Sequence, residues 1–97
     1  MDGQLAWLQE WYSSQCDGDW EHSYGVQIST LDNPGWRLRI DLPETEWSGS
    51  LALREEINRS DDDWLTFVVE ADVFDGACGS RNLSELIAAF RDIAERR

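Results

Sequence analysis

The sequence contains no lysine: all eight basic side chains among its 97 residues are arginine, set against 20 carboxylates, for a formal net charge of −12. So few cations exclude ordinary phosphate contacts, so neither nucleic acid nor an anionic membrane surface is expected as a partner. The shortage is sharpest in the first third. Residues 1–36 carry six carboxylates (Asp2, Glu10, Asp17, Asp19, Glu21 and Asp32) and no basic side chain other than His22, so about a third of the chain holds half of the excess charge. An uncompensated acidic field of this kind favours a cationic partner and a fast, salt-sensitive encounter.

Long apolar runs are missing as well. The opening stretch MDGQLAWLQEWYSS has neither a cationic leader nor a span of hydrophobic residues, so no signal peptide or membrane span is expected, and the expected address is the cytoplasm. Cysteine is scarce: Cys16 and Cys78 read as free thiols at that address and are too few for a structural zinc site without help from His and Asp. No linker, repeat or low-complexity tract divides the chain, and its length suits one domain over residues 1–97.

Apolar residues, by contrast, are plentiful at 41%, which takes the chain out of the disordered class despite its charge. Six tryptophans exceed what so small an interior accommodates, so some belong to the core and others near the surface.

Periodicity sets out the elements. Leu5, Leu8 and Tyr12 recur at helical spacing, with Gln4 and Trp11 alongside and Trp7 at the edge of the stripe, which predicts a helix from about Gln4 to Ser14. Asp17-Gly18-Asp19 then suits a turn. From Tyr24 to Thr30 the period becomes two, with Tyr24, Val26 and Ile28 on one face. Asp32-Asn33-Pro34-Gly35 reads as a type II turn in which Gly35 takes the positive φ. Trp36, Leu38, Ile40 and Leu42 then alternate with Arg37, Arg39 and Asp41 in the second arm of a hairpin, which Pro43 stops.

A third strand is expected over Ser50 to Ile57, a polar turn over Asn58 to Asp63, and a fourth strand from Trp64 to Val73. Phe74 to Ser80 reads as a glycine-containing loop. The closing helix has Asn82 as its cap, Glu85 in capping-box position, and Leu83, Leu86, Ile87, Phe90 and Ile93 or Ala94 as its stripe. The order α-β-β-β-β-α predicts an α+β domain: an N-terminal helix, a four-stranded antiparallel meander and a C-terminal helix, with both helices on one face of the sheet.

Candidate chemistry gathers in QCDGDWEHSYG, residues 15–25. As a metal site it would use Cys16, Asp17, Asp19, Glu21 and His22. Their spacing fits no zinc pattern, and the stretch lacks the central Gly and late bidentate Glu of a calcium loop. As a hydrolytic site it would pair Cys16 with His22, but a neighbouring Glu21 points to the other side of an extended chain and cannot orient the imidazole there. No enzyme activity, metal or cofactor is therefore expected. The remaining reading is a contact surface, with Asp17, Asp19, Trp20, Glu21, His22, Asp32 and Trp36 as candidate partner-binding residues. Trp20 and Trp36 flank the hairpin, where an indole serves equally well in a core or in an interface. The Asp61-Asp62-Asp63 run reads as a solvated turn.

Trp7-Leu8-Gln9 with Trp11-Tyr12, the run Cys16 to His22, Tyr24-Gly25, and Thr30-Leu31-Asp32-Asn33-Pro34-Gly35-Trp36 together resemble the immunity protein 53 family of bacterial polymorphic toxin systems. The likeness continues more loosely through Asp63-Trp64, Phe74 and Asn82-Leu83 to Phe90. It implies a cytoplasmic protein, encoded beside a toxin gene, that protects its producer by binding the cognate toxin. It brings no residue roles with it. The residue-level reading agrees at one point: a small acidic protein without a catalytic constellation suits an inhibitor of a cationic enzyme. A nuclease needs a basic cleft for phosphate, and an acidic lobe can occlude that cleft. Two alternatives stay open here: a nucleic-acid mimic acting on a host DNA-binding protein, and a small metal- or thiol-dependent enzyme.

Overall fold

The computed structural model describes residues 3–45, 48–49 and 52–95. The first helix, α1, spans Gly3–Gln15, and a single turn, α2, spans Trp20–Ser23. Five strands follow, β1 at Val26–Leu31, β2 at Gly35–Asp41, β3 at Leu53–Ser60, β4 at Asp63–Glu70 and β5 at Val73–Gly79, and then α3 at Leu83–Glu95. The fold is α+β, with a helix near each end and an antiparallel sheet between.

The sheet corrects the expected meander in two ways: it has five strands rather than four, and its order is β1-β2-β5-β4-β3. The expected loop over residues 74–80 is the central strand, paired with β2 on one side and β4 on the other. What was expected as one strand through Val73 turns back after Glu70 instead. Ala71 and Asp72 form the whole connection, both with positive φ (52° and 60°), the backbone of a tight two-residue hairpin whose twist matches that of the strands. Asp72 secures the corner with its own side chain, accepting hydrogen bonds from Gly49 N–H at 2.8 Å and from the Ser48 hydroxyl at 3.1 Å.

The β1–β2 turn also differs from expectation. Asp32, Asn33 and Pro34 make the connection, and Gly35 pairs with Leu31 as the first residue of β2, without a positive φ. Glycine is required there for another reason: a Cβ would collide with the carbonyl oxygen of Cys78 on β5. The first two residues of the expected third strand, Ser50 and Leu51, lie outside the described residues; the strand itself continues three residues past Ile57.

Paired residues share a face, so one side of the sheet carries Val26 and Ile28, Leu38 and Ile40, Phe74 and Cys78, and Leu65, Phe67 and Val69. The core lies here. Phe74 stacks on Phe67 at 5.1 Å and meets Phe90 of α3 edge-on at 5.2 Å. Phe90 in turn receives Trp11 of α1 edge-on at 5.0 Å and Trp7 at 5.8 Å, so one aromatic chain links sheet, C-terminal helix and N-terminal helix. Leu86, Ile87, Phe90 and Ala94 are the buried residues of α3, as its periodicity predicts. Each large side chain among them contributes roughly 1.5–3 kcal/mol by burial.

The cap of α3 is tied into the sheet. Asn82 accepts the Leu86 N–H through its main-chain oxygen, while its side-chain amide donates to Asp63 at 3.0 Å and to Glu85 at 3.1 Å. Glu85 therefore meets the Asn82 side chain in place of the main-chain N–H that a capping box would use. Arg59 joins both carboxylates, donating to Glu85 at 2.5 Å and to Asp63 at 3.1 Å. The Arg59 guanidinium holds both acids below the usual carboxylate range. Of the Asp61–Asp63 run, only Asp61 and Asp62 form the turn; Asp63 opens β4.

Candidate interaction surface

The stretch from Cys16 to Tyr24 is a compact capped corner between α1 and β1. Asp17 turns its Oδ1 onto the N–H groups of Asp19 and Trp20, both at 3.0 Å. Glu21 reaches back with one oxygen to Asp17 N–H at 3.0 Å and with the other to Gly18 N–H at 2.9 Å. Four main-chain donors that the chain reversal would leave open are thus satisfied by two carboxylates. The bonds keep those carboxylates charged: Trp20 N–H, then Asp19 N–H, holds Asp17 below its ordinary pKa, and the Glu21 main-chain N–H, assisted by those of Asp17 and Gly18, does the same for Glu21.

Trp20 is a core residue, only 3% exposed. Its indole N–H donates to the Pro43 carbonyl at 3.0 Å, and its ring meets Trp11, Tyr12 and Tyr24 at 6.0–6.2 Å. It anchors the acidic corner from beneath and offers no ring to a partner. Asp19 and His22 are exposed on the same corner, and Glu21 is partly buried.

Asp32 and Trp36 are placed elsewhere. The corner enters the sheet at Val26, while Asp32 follows Leu31 at the far end of β1, about 17 Å away at roughly 3.4 Å per strand residue. Trp36 is half-buried there, its indole N–H bonded to the Ser80 carbonyl at 3.0 Å. The seven candidates therefore form an acidic corner over 17–22 and a separate hairpin end, not one site.

Among the described residues no three His, Cys, Asp or Glu side chains group as metal ligands. Cys16 and Cys78 are free. Cys16 directs its thiol to the Tyr12 carbonyl at 3.4 Å, and burial pushes the Cys78 thiol up to about 11, where it is a poor nucleophile. No described helix is long and apolar enough to cross a membrane.

Charge is segregated along the fold. Each ion pair among the described residues takes its carboxylate from Asp41 or later: Arg37 with Asp75 at 2.8 Å, Arg39 with Asp41 at 3.9 Å, Arg59 with Asp63 and Glu85, and Arg91 with Glu95 at 3.2 Å. Glu10, Asp17, Asp19, Glu21 and Asp32 have no arginine partner among the described residues.

The family model for immunity protein 53 matches residues 5–95, nearly the whole chain. The chain belongs to the immunity protein 53 family. No curated protein and no solved structure matches it.

One feature of that surface escaped the sequence. The stripe Leu5, Leu8, Tyr12 was expected to be the buried face of α1, yet the buried residues are Leu8 and Trp11. Leu5 and Tyr12 remain 43% and 37% exposed, and Ile28 on β1, on the core side of the sheet, is 40% exposed. The signal was present as a stripe wider than one helix contact, since Trp7 and Trp11 already supply the ring pair for Phe90.

Proposed function

We propose that this immunity-family protein neutralises a cognate bacterial toxin by direct binding, acting in the cytoplasm as an inhibitor rather than as an enzyme. Its acidic lobe occludes the basic active cleft of a nuclease-type toxin. The observation that carries the reading is the charge segregation: among the described residues the first third of the chain keeps its carboxylates free of arginine, while Arg37, Arg39, Arg59 and Arg91 have carboxylate partners from Asp41 onward. Such a lobe meets lysines and arginines that would otherwise bind phosphate, and it accelerates the encounter. The reading takes both helices to lie on the core side of the sheet, supported by the Phe74–Phe90–Trp11 ring contacts.

The test uses the toxin domain encoded beside this chain's gene, made catalytically inactive. Charge reversal belongs at Glu10, Asp19 and Asp32, whose side chains make no hydrogen bond among the described residues, and not at Asp17 or Glu21, which hold the corner together. The triple variant E10K/D19K/D32K should associate at least about tenfold more slowly at low salt, with its melting temperature nearly unchanged. An association rate indifferent to salt and to this variant refutes the electrostatic mechanism. Absence of any complex with the unaltered protein refutes the immunity reading itself.

A further inference from the structure

The three large hydrophobic side chains exposed among the described residues are Leu5, Tyr12 and Ile28, and all three line one depression of about 270 Å³. It lies between α1 and the edge strand β1, and Leu8, Gln9, Gly25 and Val26 complete its lining. Scattered exposed apolar residues need no explanation on a protein surface; three that converge on one notch do. Every lining residue belongs to the part of the chain without Arg or Lys.

The acidic corner abuts the notch through Tyr12. The Tyr12 ring lies 6.0 Å from Trp20, and its carbonyl accepts the Cys16 thiol, directly before Asp17. The notch therefore has a mainly apolar lining with Gln9 as its one amide side chain, an acidic border at Tyr12, on which the Glu21 charge acts, and no Arg or Lys from its own elements. Its second border is an open strand edge. Gly25 accepts the Asp41 N–H, so by antiparallel alternation Gly25, Gln27 and Ser29 bond to β2, while Val26, Ile28 and Thr30 aim their main-chain groups away from it. Among the described residues β1 has no other neighbour in the sheet.

Resting on the toxin-binding reading above, we infer that the notch between α1 and β1 is the anchor point for the toxin, receiving an apolar side chain flanked by lysine or arginine on a basic protein surface. The division of labour is the one common to tight interfaces. The desolvated apolar centre sets the lifetime of the complex, and the charged rim sets its rate of formation and its orientation. A second copy of this chain is a poor occupant, because an identical acidic rim would face it across the contact.

The experiment compares L5S, Y12S and I28T singly and combined, with I57T/I93T in the groove between β3 and α3 as a control for apolar loss outside the notch. All are exposed or partly exposed positions, and folding is checked by melting temperature and by tryptophan fluorescence. With the inactive toxin domain as probe, the combined notch variant should bind at least about 30-fold more weakly, chiefly through faster dissociation, while the control stays within about threefold. Unaltered affinity in the notch variant, with the parent protein still binding, overturns the anchor while leaving the immunity reading intact. Failure of the parent protein to bind overturns that reading instead. Sedimentation of the protein alone gives the remaining outcome: a dimer dissociated by I28T would assign the notch to self-association and overturn the proposal. In hydrogen exchange, slowing of the Ile28 and Thr30 amides on toxin binding is expected, and unchanged exchange there counts against it.

Discussion

Asp17 and Glu21 cap the same turn from its two ends: the aspartate binds the N–H groups ahead of it, and the glutamate binds those behind, including that of Asp17 itself. The pair gives the acidic corner a fixed shape without a cation. The side chains that give the corner its negative charge thus also build its shape, so mutating them changes conformation and charge together.

The pair also makes part of the stability depend on pH. Both carboxylates titrate below their ordinary values of 3.8 and 4.5, so the folded state binds protons less readily than the unfolded chain. Their contribution is complete above those unfolded values and is lost as pH falls through the lower folded ones. The variant D17N/E21Q should therefore be less stable than the parent at pH 7, and the gap should narrow as pH falls below the unfolded value of 3.8. Urea midpoints measured from pH 7 to pH 3 check this. Net self-repulsion of the −12 chain relaxes over the same range in both proteins, so the difference between them isolates the corner. A constant gap across the range would show that the caps contribute through shape alone.

Gly76 sits at the centre of the sheet under α3, and a Cβ there would lie 2.8 Å from Leu86 Cδ1 and 3.2 Å from the Phe67 Cβ. Gly76→Ala should therefore destabilise by about 1–3 kcal/mol, the usual cost of overpacking a core. Adding Leu86→Ala makes room for the new methyl, so the double variant should lose less than the sum of its parts, which a double-mutant cycle by urea denaturation measures. Additive losses would place the cost in the strand backbone rather than in the contact with Leu86.

The same glycine explains why the central strand was hard to read. Gly76 and Gly79, with Asp75, give residues 74–80 the composition of a loop, because helix approach at Gly76 and the Asn82 cap beside Gly79 replace side chains that would have marked a strand. The amphipathic stripe of α3 and the alternation of β2 were legible, since each faces a single core. Of the contact candidates, the acidic corner was legible as charge. The burial of Trp20 was not: it depends on Pro43, twenty-three residues away, whose carbonyl accepts the indole N–H. The apolar notch was hidden inside a helical stripe that looked like core, and only the position of β1 relative to α1 leaves half of that stripe uncovered.

The second concealed feature, the β4–β5 corner, yields a stabilising substitution. Ala71 and Asp72 both adopt left-handed conformations, φ 52° and 60°, in a two-residue hairpin where Asn or Gly is the usual occupant of the first position. Asp72 belongs there, since its carboxylate holds Ser48 and Gly49 and its carbonyl accepts the Leu42 N–H at 2.8 Å. Ala71 makes no such contact and is exposed, so its Cβ brings the left-handed penalty of about 1–2 kcal/mol without compensation. Glycine removes that penalty but adds unfolded-state freedom, which returns part of the gain. Ala71→Gly should therefore stabilise by about 0.5–1 kcal/mol, a melting-temperature rise of roughly 2–8 °C for a domain of this size. Asp72→Gly relaxes the neighbouring position equally but releases Ser48 and Gly49 from the lost carboxylate, so it should destabilise. Calorimetry on the two variants separates backbone strain from side-chain clamping, and a lower melting temperature for Ala71→Gly would show that the corner is held by the strands and not limited by its own conformation.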